Sequence, residues 1–392
     1  MDSEGFSFIS NHAEMDINIQ ELVRVSQQYG KNKSYVIAGG GNTSYKNDPH
    51  IWVKASGVAL ETIDENGFVC LSREKLKVVS TKTYSQNSTE REAEVKADLA
   101  ASIVSTNGNR PSVETSMHEA IAYPFVVHTH PTKVNAVMCS KNAPTATREL
   151  FGAEALFIPY TDPGYVLFKK VESEIEAYTA KFGKAPNIIF LENHGVFVAA
   201  DTTAEIDAIY AAMMQKIADC IHTELPSDLQ TEISSPIIDK IQSLNEGFSN
   251  FVAKGISSEL IQFFVKDNKR FSKSSTAFTP DDIVYCKAQY LFISAEKDEQ
   301  ALLASVQFLV SDYLKTHGYL PKVLAVEGEG VVAVEDSLKS VLNVLEVYTN
   351  ILKISFYSEN FGGPQFMTKS QIDFIDNWEV ENYRRQMAKS TR

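Results

Sequence analysis

The chain has 392 residues, 44% hydrophobic and 22% charged, with a formal net charge of −13; this composition excludes disorder and fibres, and the length points to about two domains. The acidic balance, with no cluster of Lys and Arg, excludes nucleic acid as a partner. No stretch approaches the roughly 18 apolar residues of a membrane span, and Met1-Asp2-Ser3-Glu4-Gly5 lacks the apolar core of a signal peptide, so a cytoplasmic protein with no membrane partner is expected.

Ile19, Leu22, Val23 and Val25 recur at helical spacing and predict a first helix from Ile17 to Tyr29, stopped at Gly30. Tyr35-Val36-Ile37-Ala38 reads as a strand running into Gly39-Gly40-Gly41 and the small polar residues Asn42, Thr43 and Ser44. Consecutive glycines let backbone N–H groups converge on an anion, but a plain hairpin turn fits this stretch equally well. The loop has neither the third glycine of a dinucleotide fingerprint nor the Gly-Lys-Ser/Thr of a P-loop. Ile51 to Lys54 is a strand that delivers Ser56 and Gly57 to a sheet edge, and Phe68 to Leu71 is another. Thr89 to Ile103 is a helix with Glu90 and Glu92 in its first turn, favourable against the helix dipole. Pro111 to Ala120 reads as a helix start carrying Ser112 and Glu114, where a first-turn acid or a capping role is the plain reading. His118, one turn further on, is expected to be structural.

Phe125-Val126-Val127-His128-Thr129-His130-Pro131 is an apolar run of period two that carries two imidazoles at i and i+2, aimed from one strand face at a common point. Two ligands do not close a metal site; an open zinc site takes three protein ligands and leaves a position for water or substrate. Ile188 to Val198 is a second apolar strand pattern, interrupted by His194 beside Gly195, and His194 is the best third ligand, so that three imidazoles come from two strands. Between these stretches, Lys133 to Met138 reads as a helix, Leu156 to Ile158 as a strand before a Pro163-Gly164 turn, and Glu172 to Phe182 as a helix. A long helix from Thr203 to His222 follows.

Glu224 to Ser235, polar and containing Pro226, is the expected linker, dividing a domain of residues 1–225 from one of 236–392. Beyond it an echo appears: Tyr178, Gly183, Pro186, Glu192, Gly195, Val196 and Asp201 recur as Tyr313, Gly318, Pro321, Glu327, Gly330, Val331 and Asp336, at a constant offset of 135 residues. Both copies read helix, Gly-x-x-Pro, apolar strand, Glu-x-x-Gly, apolar strand, helix, as a degenerate repeat would. Glu329 stands where the first copy has His194. The turn itself therefore does not demand His194, which strengthens a chemical reason for it. Cys70, Cys139, Cys220 and Cys286 are scattered, without a C-x-x-C pair, and read as reduced thiols.

Gly40-Gly41-Asn42-Thr43-Ser44, Ala55-Ser56-Gly57, Pro111-Ser112-Val113-Glu114, His128-Thr129-His130-Pro131 and Glu192-Asn193-His194-Gly195, in this order over residues 15–222, resemble the class II aldolase/adducin family. That family includes zinc-dependent fuculose-1-phosphate and rhamnulose-1-phosphate aldolases and ribulose-5-phosphate 4-epimerase. The chain beyond, including Asp373 to Glu381, resembles the aldolase portion of rhamnulose-phosphate aldolase/dehydrogenase fusions. The resemblance implies an α/β/α sandwich with a mainly antiparallel sheet, and the echo adds a C-terminal α/β region of similar build. It further implies a homotetramer with sites between subunits. It makes His128, His130 and His194 ligands of zinc or another divalent metal, Glu114 the acid/base, and Gly41, Asn42, Thr43, Ser56, Gly57 and Ser112 the holders of a phosphate. Val113 departs from the second Ser often found at its position in the phosphate-binding aldolases. The function implied is cleavage of a ketose 1-phosphate, rhamnulose 1-phosphate first, to dihydroxyacetone phosphate and an aldehyde through a metal-stabilised enediolate. The alternatives are a 4-epimerase using the same metal, or an adducin-like binding protein that has lost it.

Overall fold

Strands with period-two apolar residues need a covered face, and here they assemble two sheets. In a computed structural model, which describes residues 3–243 and 251–377, the chain divides into two compact units. One holds the residues up to Val134 together with Pro144–Ala218; the other holds Asn135–Ala143 together with the chain from Asp219 onward. Trp378 to Glu381, part of the last motif above, lie outside the described residues.

Up to Ala218 the elements in chain order are α1 (Ser3–Gly30), β1 (Asn42–Lys46), β2 (His50–Lys54), β3 (Phe68–Ser72), α2 (Arg73–Thr81), α3 (Ser88–Ala101), β4 (Ile103–Ser105) and α4 (Thr115–Ala120). They continue with β5 (Phe125–Thr129), α5 (Thr132–Met138), α6 (Ala143–Phe151), β6 (Leu156–Ile158), α7 (Tyr165–Phe182), β7 (Ile188–Leu191), β8 (Gly195–Ala200) and α8 (Thr203–Ala218). The strands form one sheet in the order β4-β3-β2-β1-β5-β8-β7-β6. Every neighbouring pair is antiparallel except β6 with β7. One face, carrying Val53, Val69, Val126, Ile189 and Phe197, packs against Leu76 of α2, Leu99 of α3, Met117 of α4 and Val171 of α7 in a single buried core. Burying each such side chain stabilises by roughly 1.5–3 kcal/mol. The other face is covered by α1 and α8, where the rings of Tyr29, Tyr35 and Tyr210 meet at centroid distances of 4.6 to 5.4 Å. The layers are thus helix, mainly antiparallel sheet, helix.

Several expected elements move. Tyr35 to Ala38 is a turn: Val36 N–H bonds back to the Asn32 carbonyl at 3.0 Å, and Ala38 at φ 51° breaks any extended run. The strand begins at Asn42, beyond the glycines, where polar side chains had concealed it. The helix expected from Pro111 starts at Thr115, because Pro111 bridges Ala55 and Ser112 N–H bonds to the Lys54 carbonyl at 3.2 Å. α7 starts at Tyr165, after Gly164 at φ 98°. α2, β4 and α6 were not anticipated, and Thr231–Ile233 of the expected linker forms a strand.

The second unit contains β9 (Thr231–Ile233), α9 (Pro236–Ser243), β10 (Val252–Ser257), α10 (Glu259–Val265), α11 (Asn268–Phe271), α12 (Pro280–Cys286), β11 (Leu291–Ile293), α13 (Glu299–His317), β12 (Val323–Val326), β13 (Gly330–Glu335), α14 (Leu338–Ser358) and α15 (Lys369–Asn377). Its sheet order is β11-β12-β13-β10-β9, with β11 and β12 parallel. The echo holds residue by residue: β6, β7 and β8 map onto β11, β12 and β13 at the offset of 135 residues (188 to 323), and the parallel and antiparallel pairings repeat. Gly183 and Gly318 both end their helices in the left-handed region, at φ 72° and 75°. The recurring Glu now has a structural reason. Glu192 Oε2 accepts from Tyr160 N–H at 2.8 Å, and Glu327 Oε2 accepts from Ala295 N–H at 2.9 Å, each carboxylate tying its turn to the loop after the neighbouring parallel strand.

A Cβ built at Gly330 lies 2.4 Å from the Ile256 carbonyl oxygen of β10. Gly330→Ala is therefore expected to cost about 1–3 kcal/mol through overpacking, seen as a lower midpoint in chemical denaturation; an unchanged midpoint contradicts the close approach of β13 to β10.

Candidate metal centre

Pairing decides which way the histidine strand faces. β5 lies between β1 and β8 with Asn42 opposite His128 on one side and Phe197 opposite it on the other, so His128 points to the sheet face covered by α4. Its ring is fully buried and stacks on Phe197 at 4.1 Å and 20°. His128 Nδ1 lies 3.0 Å from the Val196 carbonyl oxygen. A carbonyl only accepts, so Nδ1 carries the hydrogen and donates, and Nε2 turns a lone pair inward.

His130 follows the strand end, with its Nε2 2.9 Å from His128 Nε2. His194 sits in the turn joining β7 to β8, where its N–H bonds to the Leu191 carbonyl at 3.2 Å and Asn193 takes φ 53°. Only His128 is within a strand, which corrects the expectation that the three imidazoles come from two strands. A Cβ at Gly195 lies 2.5 Å from His130 Cδ2 and 2.6 Å from the Thr129 carbonyl, so glycine is what lets the turn come close to the other two rings. His128, His130 and His194 each offer one nitrogen, all within 4.8 Å of one another.

The donor set fits a divalent metal. His128 Nε2 and His130 Nε2 face each other and need a shared proton or a cation between them, and burial pushes the His128 imidazole well below its ordinary pKa, with Glu114 opposing the shift. A cation that is bound by neutral imidazoles suits that geometry, as does the second-sphere carbonyl on Nδ1.

Glu114 immediately precedes α4, with its own N–H bonded to Ser112 Oγ at 3.2 Å and its side chain making no capping bond. Its Oε1 lies 3.5 Å from His128 Nε2 and 3.4 Å from His194 Nε2, while Oε2 accepts from Asn42 Nδ2. Burial opposes ionisation, but the imidazoles of His128 and His194 and the Asn42 amide outweigh it and hold the carboxyl below the usual range, at about 2. The Asn42 N–H donated to Oε2 is the geometry of an acceptor carboxylate.

The six residues expected around a phosphate separate into groups. Asn42 points with His128, its side chain engaged by Glu114 and His118. Thr43, one residue on, points to the opposite face, where its hydroxyl meets Ser26 of α1 at 2.6 Å; as a side-chain ligand Thr43 departs from expectation. Gly41 at φ 72° packs against the His128 carbonyl, 2.8 Å from a built Cβ. Ser56, Gly57 and Ser112 lie on two adjoining loops, with Ser56 N–H bonded to the Arg110 carbonyl at 2.8 Å.

Sequence reading gives Lys46 no role, names Ser44 only as one of the polar residues after the glycines, and leaves His118 without partners. Asn42, Ser44 and Lys46 alternate along β1 and all reach toward α4: Ser44 Oγ to His118 Nδ1 at 2.7 Å, and Lys46 Nζ to the carbonyls of His118 and Ile121. The signal was available, as period-two polar residues in a strand whose opposite positions are buried. Lys46 answers the orphan carbonyls at the C-terminal end of α4.

Residues 20–221 match the class II aldolase and adducin N-terminal domain. The chain belongs to the class II aldolase/adducin family. This family supports a metal-dependent activity of the aldolase or epimerase type. A curated relative from Bacillus subtilis (strain 168), named uncharacterized oxidoreductase YuxG, is 21% identical over 96% of this chain. The chain spans 59% of that relative's length. Among solved structures, the N-terminal class II aldolase domain of a conserved protein from Thermoplasma acidophilum is 26% identical with a TM-score of 0.45, over 52% of this chain and 93% of that one. The sugar-phosphate aldolase of Thermotoga maritima is 15% identical with a TM-score of 0.36, over 52% and 95%. Among the described residues no helix is long and apolar enough to cross a membrane.

In the second unit β10 pairs with β13 as β5 pairs with β8, Gly255 opposite Val332 as His128 is opposite Phe197. Gly255, Ser257 and Glu329 then occupy the positions of His128, His130 and His194. The strand pairing is repeated there with no imidazole at these three positions.

Burial lowers the Lys46 pKa to about 7, with Glu119 pulling the other way and Arg73 adding to the fall. An unfolded lysine titrates near about 10.4. Below pH 7 both states carry the proton; above it the native state releases the proton that the unfolded chain keeps, so folding gains stability as pH rises through about 7 to 10. Stability measured by denaturation should therefore rise with pH in wild type relative to Lys46→Met across that window. Parallel curves would contradict a buried, proton-shedding Lys46.

Proposed function

We propose that the protein is a divalent-metal aldolase, zinc being the first candidate, that cleaves a ketose 1-phosphate of the rhamnulose or fuculose type to dihydroxyacetone phosphate and an aldehyde. The observation that carries this reading is the convergence of three imidazole nitrogens within 4.8 Å beside a buried carboxylate whose Oε1 is 3.5 Å and 3.4 Å from two of them. His128, His130 and His194 would hold the metal, which supplies Lewis-acid stabilisation of negative charge developing on substrate oxygens.

Carbon–carbon cleavage beside a ketone also requires a proton to leave a hydroxyl and another to reach carbon. Glu114 is the group for that work. Its Oε2 is anchored to Asn42 and its Oε1 faces the imidazoles, so one oxygen stays fixed while the other exchanges a proton with substrate. His128, Asn42 and Glu114 are buried, and His130 and His194 half-buried, so the last two are where substrate would reach the metal. The hydroxyls of Ser56 and Ser112, with the backbone of Gly57, would hold the phosphate, since these residues lie on two adjoining loops. A homotetramer belongs to the same reading, and sedimentation of the purified chain measures it.

Metal analysis of the purified protein should find about one divalent ion per chain, lost in His128→Ala and His194→Ala; full occupancy in either variant contradicts the ligand assignment. In a coupled assay over a panel of ketoses and ketose phosphates, Glu114→Gln should lower kcat by roughly 100-fold or more with metal retained. Ser56→Ala should raise KM for phosphorylated substrates alone. Release of an epimer without aldehyde would replace the aldolase by an epimerase, and protein free of metal and turnover would leave a binding role.

A further inference from the structure

His118 is wholly buried on α4, takes no part in the proposed chemistry, and has both ring nitrogens partnered. The partners decide one another. Glu114 as a carboxylate only accepts, so Asn42 must turn its NH₂ toward Oε2 and its Oδ1 toward His118. Oδ1 needs a donor, so His118 Nε2 carries the hydrogen. Nδ1 is then a lone pair, and the Ser44 hydroxyl at 2.7 Å donates to it. Turning the Asn42 amide over would set two acceptors face to face at Glu114, so the Glu114 end of the set decides the amide and, through it, the His118 tautomer. Burial pushes the His118 imidazole down to about 3, with Glu114 opposing, so the ring stays neutral and its tautomer is fixed. The ring also meets Phe197 edge-on at 5.3 Å, the same ring on which His128 stacks.

We propose that His118 is a positioning residue: it sets the Asn42 amide, and through it holds Glu114 with Oε2 anchored and Oε1 turned to the three imidazoles. The proposal rests on the reading of Glu114 as the proton-transfer group. It also makes Asn42 a partner of the acid/base, not a ligand of a substrate anion. The cost is considerable for a six-residue helix: Asn42, Ser44 and His118 are all buried polar side chains, satisfied only as a connected set.

The test separates orientation from packing. His118→Phe keeps a flat ring and removes both bonds; His118→Gln keeps an N–H where Nε2 was. With about one metal per chain in each, His118→Phe should lower kcat by roughly 10- to 100-fold and leave KM within about twofold, while His118→Gln recovers kcat to within about threefold of wild type. Ser44→Ala, which leaves the ring, should give a smaller fall in kcat, also without a change in KM. A raised KM with unchanged kcat in His118→Phe would make Asn42 a substrate ligand and overturn the proposal, as would a His118→Gln variant as impaired as His118→Phe. Independently of turnover, ¹⁵N spectra of histidine-labelled wild-type protein should show His118 as the Nε2–H tautomer; an Nδ1–H tautomer overturns the relay. If wild type turns over no sugar in the panel, the aldolase reading fails while the tautomer still decides the relay.

Discussion

The register of β5 between β1 and β8 is the constraint on which the site depends. Side chains alternate faces along a strand, so a slip of one residue would send His128 to the α1 and α8 side and bring Val127 to Glu114. The register is held by burial on both faces. Val126 belongs to the core beneath α2, α3, α4 and α7, while Thr129 Oγ1 and the Val127 carbonyl meet the Tyr210 hydroxyl from the other side. The placement of His128 is thus a consequence of core packing, while His130 at the strand end and His194 in the β7–β8 turn depend on the close approach that Gly195 allows.

The second unit is a control supplied by the chain itself. It has the same parallel and antiparallel pairs, the same left-handed helix ends and the same Glu tying the turn, yet Gly255, Ser257 and Glu329 stand where the imidazoles are. What the two units share is therefore what the backbone needs, and what differs is available to chemistry. Asn193 and Gly328 illustrate it. Both take positive φ, 53° and 73°, so the turn demands a left-handed residue, and the Asn of the first unit meets that demand as the commonest alternative to glycine. Glu329 itself accepts from the Ser235 hydroxyl at 2.8 Å, tying its turn to the segment before α9.

Much of this was legible from residue order. A period-two run located β5 and apolar runs located β2, β3, β7 and β8, the Gly-x-x-Pro and Glu-x-x-Gly punctuation located the repeated hairpins, and the three histidines and Glu114 stood out and do converge. Errors fell where local pattern and tertiary demand diverge. Tyr35 to Ala38 has strand composition, but its apolar residues serve the aromatic packing on α1 and α8, and its backbone closes a turn. Asn42 to Lys46 has the composition of a loop and is a central strand, since three of its side chains are spent on buried hydrogen bonds instead of apolar contact.

Sequence alone determined most of the apolar strands, the repeated hairpin turns, the three histidines that come together and the internal echo, because these depend on side-chain pattern and on residues a few positions apart. The partners of Asn42, the tautomers of His128 and His118, and the orientation of Glu114 were decided only in three dimensions. Asn42 meets Glu114 across 72 residues of chain and His118 across 76, and a hydrogen bond takes its direction from the group opposite, which no local pattern records. The same holds for Thr43, whose neighbour Asn42 faces the site while Thr43 faces α1: adjacent letters of one motif are separated by the thickness of the sheet.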